Sequence, residues 1–370
     1  MTNKKGIRVI ISAGGTGGHI YPALSIINKI KKEEPNSEFL YIGTANRMES
    51  KIIPEKGIPY KGINIIGLKK NLSCFKSLYL FLKGISTCKK EIKKFKPDIV
   101  IGVGGYITAP VIYSAKKLGY KTVIHEQNSI PGKSNRFLEK YTDKIMISLP
   151  GSSKYFDKEK VVFTGNPRSE EVVEVKPIDK KELGLSKDKK LVLIVMGSLG
   201  SETINNELKN VISKFKDKDY EVMIVTGKDH FDGYSNVKIP SNVKIVPYLN
   251  NMLNVLKKVD LIVTRAGAST IAEITSIGIP SILVPSPYVA NNHQFHNAME
   301  LVNKKASVLL EEKDFNSVNL LKKIDLILND SVLYKSMHKN ALDLGIRDSS
   351  ERIYQEIKKV IKWGCYARCY

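Results

Sequence analysis

Short apolar runs alternate along this chain with longer stretches in which apolar residues recur every three or four positions. In the first half, continuous apolar runs predict strands at Arg8–Ser12, Glu38–Ile42, Ile99–Val103 and Lys121–His125. Helical spacing predicts helices over Tyr21–Lys32, Ser77–Lys94 and Thr108–Leu118, with Gly and Pro at the joins. The second half repeats the pattern. Strands are expected at Leu191–Met196, Tyr220–Thr226, Val243–Val246, Asp260–Thr264 and Ser281–Pro285, and helices should begin near Ser201, Asn250, Thr270 and Gln294. A last helix, Asp348–Lys362, carries Ile353, Ile357 and Val360 on one face. Alternation of this kind implies an α/β protein with doubly wound parallel sheets. Turn residues from Gly165-Asn166-Pro167-Arg168 to Pro177 mark a linker. Two such domains imply a cleft between them as the place for a ligand.

Composition narrows the class. A 370-residue chain with 42% hydrophobic residues can form two cores. Its four cysteines have no zinc-ligand spacing and suit a reducing compartment without a disulfide framework. The run Val9–Ala13 is too short for a signal core, and no apolar run approaches the roughly 18–20 residues of a membrane-spanning helix. The net charge of +22 is uneven: residues 1–166 carry +17 and the remainder +5. The first half therefore meets an anion, for which nucleic acid, an anionic membrane or a phosphorylated substrate all qualify.

The first strand runs into Gly14-Gly15-Thr16-Gly17-Gly18-His19. A dinucleotide fingerprint needs a third spaced glycine and an acidic residue near the end of the second strand; Ile20 and the segment Gly43-Thr44-Ala45-Asn46 supply neither. Gly132-Lys133-Ser134 is no P-loop, because position 127 is Gln, and His125-Glu126-Gln127-Asn128-Ser129 is no zinc motif, because position 129 is Ser. No metal site is expected. Glycines at helix starts still allow close backbone approach to anions. The feature recurs at Gly102-Val103-Gly104-Gly105-Tyr106 and at Gly197-Ser198-Leu199-Gly200-Ser201. Three such turns at strand ends favour a site that holds phosphates.

In the second half, Arg265-Ala266-Gly267-Ala268-Ser269-Thr270 turns from strand to helix through small residues. Glu273 has two readings: it closes a capping box with Thr270, or it accepts from both hydroxyls of a ribose. The row Asn291-Asn292-His293-Gln294 through Asn297 offers donors and acceptors suited to sugar hydroxyls.

Taken in order with His125-Glu126-Gln127-Asn128 and Gly165-Asn166-Pro167, these segments resemble the MurG family of bacterial N-acetylglucosaminyltransferases over about residues 6 to 350. The resemblance implies a GT-B architecture, two Rossmann-like doubly wound parallel-sheet domains facing a cleft. It implies an acceptor and membrane-associating domain over 1–165, a UDP-sugar donor domain over 166–347, and a helix and tail over 348–370 that pack back on the first domain. It also implies inverting transfer of N-acetylglucosamine from UDP-N-acetylglucosamine to lipid I, the undecaprenyl-pyrophosphoryl-muramyl-pentapeptide, giving lipid II. The implied place is the cytoplasmic face of the cell membrane, held peripherally, with no cofactor.

Residue by residue, the resemblance places Ser198, Ala268, Ser269 and Thr270 against the donor's diphosphate and sugar, Glu273 on ribose, Gln294 on sugar hydroxyls and Leu249 on uracil. Arg265 and Asn205 match positions that influence activity. Thr16, Gly17, Gly18, Asn128 and Arg168 line the family's cleft and reach the donor, while Gly15, Gly104, Gly105, Tyr106 and Asn135 serve the acceptor. His19 is the preferred general base, since an imidazole titrates near neutrality, with His125 and Glu126 as rivals. Leaving-group charge would fall on helix N-termini and hydroxyls, without a metal. The chain departs from the family at Leu199, where a glutamine is usual, and at Arg168, which follows Pro167 directly.

Leu72, Phe75 and Tyr79 lie among lysines between Leu68 and Lys96, a composition suited to an anionic membrane surface. Leu78, Leu82 and Ile85 share a helical face expected to pack inward. Two other readings use the same features: a UDP-N-acetylglucosamine epimerase of the same build, and a basic nucleic-acid-binding protein. The latter lacks any aromatic-basic RNA motif or DNA-binding module.

Overall fold

A parallel strand is covered by helices on both faces, so its sequence reads as an unbroken apolar run. The computed structural model describes residues 6–67, 74–197 and 200–366, the side chains of 74–76 and 363–366 excepted. Two units are present: one from the described residues of Met1–Arg168 and Asp348–Tyr370, the other from Ser169–Arg347. Leu72, Leu199, Ser198 and the Phe75 side chain lie outside the described residues.

The first unit holds strands β1 (Arg8–Ser12), β2 (Glu38–Thr44), β3 (Tyr60–Ile63), β4 (Ile99–Gly102), β5 (Lys121–Glu126), β6 (Lys144–Ile147) and β7 (Val161–Phe163). They form one parallel sheet in the order β3-β2-β1-β4-β5-β6-β7. The second unit holds β8 (Lys190–Val195), β9 (Tyr220–Val225), β10 (Val243–Val246), β11 (Leu261–Thr264), β12 (Ser281–Leu283) and β13 (Ser307–Leu309), in the order β10-β9-β8-β11-β12-β13. Both orders reverse beside the first strand. Ser12 therefore lies opposite Gly102, and Val195 opposite Thr264. Ligand crevices form at the carboxyl ends of strands at such reversals.

β3, β6, β7 and β13 were not predicted: each has only three or four residues, too few to show a period. The first helix, Gly17–Glu33, begins four residues before the expected Tyr21, because two glycines disguise its first turn.

The helix Cys74–Phe95 corrects one expectation. Its inward face is made of Ser77, Gly84, Cys88 and Ile92, while Leu78 is 47% and Leu82 57% exposed and Ile85 is half-buried. The cause is close approach to the neighbouring helix Thr108–Lys117. Gly84 leaves only 3.8 Å between the place of its absent Cβ and Pro110, and the Ser114 hydroxyl donates to the Ile85 carbonyl at 3.3 Å. Small residues allow that approach and turn the leucines outward.

The helix Ser349–Tyr366 returns to the first unit. Ile353, Tyr354, Ile357 and Val360 are buried in the same core as Val9, Ile20, Ile27 and Ile101. Glu34 is buried and accepts from the Tyr354 hydroxyl at 2.8 Å and from Lys358; Lys29 pairs with Glu351 at 2.7 Å. Glu351 is held below the usual carboxylate range, chiefly by its hydrogen bond from Lys29. Replacing the fully buried Ile357 by Ala is expected to cost about 2–5 kcal/mol, seen as a lower urea midpoint for this unit. An unchanged midpoint would show that the helix contributes nothing to the core.

Candidate active site

Because β1 and β4 are neighbours, the glycine turns that follow them touch. The Gly14 N–H donates to the Gly104 carbonyl at 3.2 Å. A Cβ on Gly105, whose φ is +88°, would lie 2.5 Å from the Gly14 carbonyl oxygen, and one on Gly104 would lie 2.5 Å from the His19 ring. These glycines are needed for the two loops to meet. Behind them sits Glu49, fully buried, accepting from the Thr44 hydroxyl at 2.7 Å, the Thr44 N–H at 3.1 Å and the Gly15 N–H at 3.2 Å. The amides of Gly14 and Gly15 are thus spent inside the protein. The group oriented for an anion is the head of the helix Gly17–Glu33, where Thr16 is the N-cap and the first N–H groups have no intrahelical acceptor.

His19 stands in that first turn. Its Nδ1 is 3.1 Å from the Gly14 carbonyl and 3.5 Å from the Thr16 hydroxyl. A carbonyl only accepts, so in the neutral ring Nδ1 carries the proton and Nε2 the lone pair. That is the tautomer a general base requires.

The rivals for that task are placed differently. His125 is fully buried at the end of β5; its Nε2 donates to the Gly165 carbonyl at 3.0 Å and its Nδ1 accepts from the Gln127 amide at 2.9 Å. Burial lowers its pKa to about 4, so the ring is neutral at ordinary pH. Gln127 also donates to the Val103 carbonyl at 2.8 Å, joining this strand end to the second glycine turn. Glu126 is buried as well. It accepts from the Asn128 N–H at 2.9 Å, the Asn128 side chain at 3.3 Å, the Gly132 N–H at 3.0 Å and the Asn135 side chain at 2.8 Å. Four donors on one carboxylate tie down the loop 126–135. Asn135 Oδ1 and Gln127 Oε1 are buried without a hydrogen-bond partner. Tyr106 and Asn128 are half-buried. Arg168 belongs to this unit, with its guanidinium 5.6 Å from the centre of the Tyr21 ring.

In the second unit, the turns after β8 and β11 adjoin for the same topological reason. They open on a cavity of about 640 Å³ lined by Gly197, Gly200, Ser201, Arg265, Thr270, Tyr288 and Gln294, among others. Of the sequence-predicted donor residues, Arg265, Thr270 and Gln294 meet here. Gln294 accepts from the Ser286 N–H at 2.9 Å, which fixes its amide at the cavity edge. Ala268, Ser269, Leu249 and Glu273 are not among the residues that line it. Leu249 is buried, and the neighbouring Tyr248 is the exposed side chain of the pair.

The helix here is Ala268–Ile277, with Gly267 as N-cap. Thr270 is its third residue and Glu273 its sixth, so the capping-box reading of Glu273 falls. Glu273 is buried in the second turn, and the Ser269 hydroxyl is buried without a hydrogen-bond partner. Asn205, which the sequence matched to a position that influences activity, is buried behind the glycine turn. It donates to the Ser201 and Thr226 carbonyls at 3.0 and 3.1 Å and accepts from the Tyr234 hydroxyl at 2.7 Å. Arg265 donates to the Val284 carbonyl at 3.1 Å and the Ser201 hydroxyl at 2.9 Å, and pairs with Glu312 at 2.5 Å. Glu49, Tyr234, Tyr288 and Glu312 carry no local sequence signal; each reaches its place only through the fold. Gln127 lay inside a quoted motif, but its part in joining two turns did not show there.

Two family models cover most of the chain: the glycosyltransferase family 28 N-terminal domain matches residues 9–147 and its C-terminal domain residues 191–353. A Bacillus cereus protein named UDP-N-acetylglucosamine--N-acetylmuramyl-(pentapeptide) pyrophosphoryl-undecaprenol N-acetylglucosamine transferase 1 is 47% identical over 363 residues, 96% of this chain and 100% of that protein. Among solved structures, Acinetobacter baumannii MurG is 25% identical with a TM-score of 0.77, over 95% of this chain and 99% of that one. A UDP-GlcNAc 2-epimerase from Neisseria meningitidis shares the fold, with a TM-score of 0.66 at 16% identity over 95% and 100% of the two chains. On a near-full-length match at this identity, with the family's motifs gathered at the strand-order reversals of both sheets, the chain belongs to glycosyltransferase family 28 and, within it, to the MurG transferases.

Proposed function

We propose that this chain transfers N-acetylglucosamine from UDP-N-acetylglucosamine to the muramyl-pentapeptide of undecaprenyl-pyrophosphate lipid I, forming lipid II. The observation that carries this reading is the 47% identity, over nearly the whole of both chains, to a transferase named for that reaction. The epimerase likeness extends to the fold alone.

In this reading the second unit takes the donor. Thr270 and the head of the helix Ala268–Ile277 face the diphosphate, Gln294 the sugar, and Glu273 the ribose once the nucleotide is seated. The first unit takes the acceptor, whose pyrophosphate meets the head of the helix Gly17–Glu33. The acceptor hydroxyl gives its proton to His19 Nε2 as its oxygen attacks the anomeric carbon. The bond from that carbon to the UDP oxygen breaks, and the anomeric configuration inverts. Charge on the departing UDP is met by helix N-terminal N–H groups and hydroxyls. His125 and Glu126 are positioning residues, holding the 126–135 loop and the Gly165 turn.

We infer peripheral attachment to the cytoplasmic face of an anionic membrane. Among the described residues, no helix is long and apolar enough to cross a membrane. Support comes from the helix Cys74–Phe95, which exposes Leu78, Tyr79 and Leu82 at 47, 62 and 57% beside Lys83, Lys90, Lys93 and Lys94. Apolar side chains can enter the headgroup region while lysines contribute about 1 kcal/mol each near the surface.

Turnover of UDP-N-acetylglucosamine is expected only when a lipid I analogue is present, and His19→Ala should lower kcat by about 10²–10⁴-fold. Donor consumption without acceptor would overturn the transfer reading, and wild-type kcat in the variant would remove His19 as base. Leu78→Ser with Leu82→Ser should reduce flotation with anionic vesicles while sparing turnover of a soluble acceptor analogue; equal flotation would exclude this face. For His125, the unfolded chain takes up a proton near pH 6.5 and the folded one only near 4. Stability should fall as pH drops through that window, by roughly 3 kcal/mol in all. Urea midpoints at pH 7.5 and 4.5 measure the drop, which should be smaller in His125→Gln. An equal drop in both proteins would assign it to other groups.

A further inference from the structure

We propose that Glu312 is a positioning residue for sugar-nucleotide binding, acting through Arg265 on the glycine turn that follows β8. The inference rests on reading the second unit's cavity as the donor site. Glu312 follows the edge strand β13 and begins a short 3₁₀ turn, Glu312–Asp314, far in sequence from the motifs. Its side chain is 6% exposed and that of Arg265 11%, with Arg265 Nη2 2.5 Å from Glu312 Oε2. A pair of charges so nearly withdrawn from water gains little net stability, and removing one partner leaves the other buried and uncompensated.

The geometry gives the pair a task. The planar guanidinium donates from Nη1 to the Val284 carbonyl, just past β12, and from Nη2 to the Ser201 hydroxyl. Ser201 is the N-cap of the helix Glu202–Val211 and follows the third glycine turn directly. A single rigid group, rooted just past β11, thereby ties the ends of β8 and β12 together at the cavity wall. From the far side, Asn205 grips the Ser201 carbonyl. Glu312 holds the guanidinium by charge, neither carboxylate oxygen accepting a hydrogen bond, while Val284 and Ser201 fix the direction of the fork; a Lys at 265 could not reproduce it, because an ammonium lacks fixed donor directions. Arg265 also arrives at the cavity with its charge already balanced, so its part is to hold Ser201 in place. Neutralising the departing diphosphate then belongs to the helix heads.

The test uses the full chain, with UDP binding by calorimetry and initial rates against UDP-N-acetylglucosamine and a lipid I analogue. Wild-type binding of UDP, weakened by Thr270→Val, tests the donor-site reading itself; its failure would leave that reading, and not the pair, at fault. Glu312→Ala should raise KM for the donor and Kd for UDP by about tenfold or more while kcat changes less than about threefold. Glu312→Gln, which keeps the shape but removes the charge that pairs with the guanidinium, should lose nearly as much. Glu312→Ala combined with Arg265→Met should be no worse than the worse single variant, since both cut one linkage. KM and Kd within about twofold of wild type in both Glu312 variants would overturn the proposal. So would tighter UDP binding, which would mean that a freed guanidinium neutralises phosphate, or a fall in kcat with KM unchanged. If Glu312→Ala lacks a cooperative melting transition, Glu312→Gln decides alone: a raised KM for the donor supports the proposal and a wild-type KM overturns it.

Discussion

A parallel sheet whose strand order reverses must send the connections on either side of the reversal to opposite faces. At the carboxyl ends of the two strands a crevice is left between their loops. In the first unit these loops follow β1 and β4, in the second β8 and β11. His19 stands just past the first of these loops, and Thr270 just past the last. The contact of Gly105 with the Gly14 carbonyl is the tightest expression of the constraint, because two chain turns meet there with no room for a side chain.

Three buried carboxylates serve these loops from behind. Glu49 takes the Gly15 amide, Glu126 gathers four donors from the segment 126–135, and Glu312 pairs with Arg265. In a chain of net charge +22, acidic groups beside sites for phosphorylated ligands would oppose binding if they faced outward. Turned inward, Glu49 and Glu126 accept from backbone N–H groups and orient them, and Glu312 balances the charge of Arg265. Helix heads, hydroxyls, amides and the His19 ring are among the polar groups left at these loops.

The same economy of small residues shapes the basic half. Ser77 and Gly84 let the helix Cys74–Phe95 lie close on its neighbour, which sends Leu78, Tyr79 and Leu82 outward among lysines. A helix with bulkier inward residues would stand farther off and present a different face. The exposed apolar patch is thus a consequence of how the core is packed rather than of a separate insertion.

Local order was legible in the chain itself. Apolar runs marked the long buried strands, helical spacing marked the amphipathic helices, and glycine turns marked strand ends, because these signals act over a few residues. Ile353, Ile357 and Val360 likewise announced a packed face, though not which unit they complete. Strand order lay beyond local signals, and with it everything that depends on which loops adjoin. The capping box drawn from Thr270 and Glu273 failed because the helix starts two residues earlier, at Ala268. Leu78 and Leu82 were assigned inward because hydrophobicity was weighed without the steric advantage of Ser77 and Gly84. His125 and Glu126 have the residue types of proton carriers, but only the fold shows them buried and held by hydrogen bonds. Residue type and spacing are properties of the chain, whereas burial, tautomer and hydrogen-bond partners are set by segments dozens of residues away, and only the folded sheet brings those segments together.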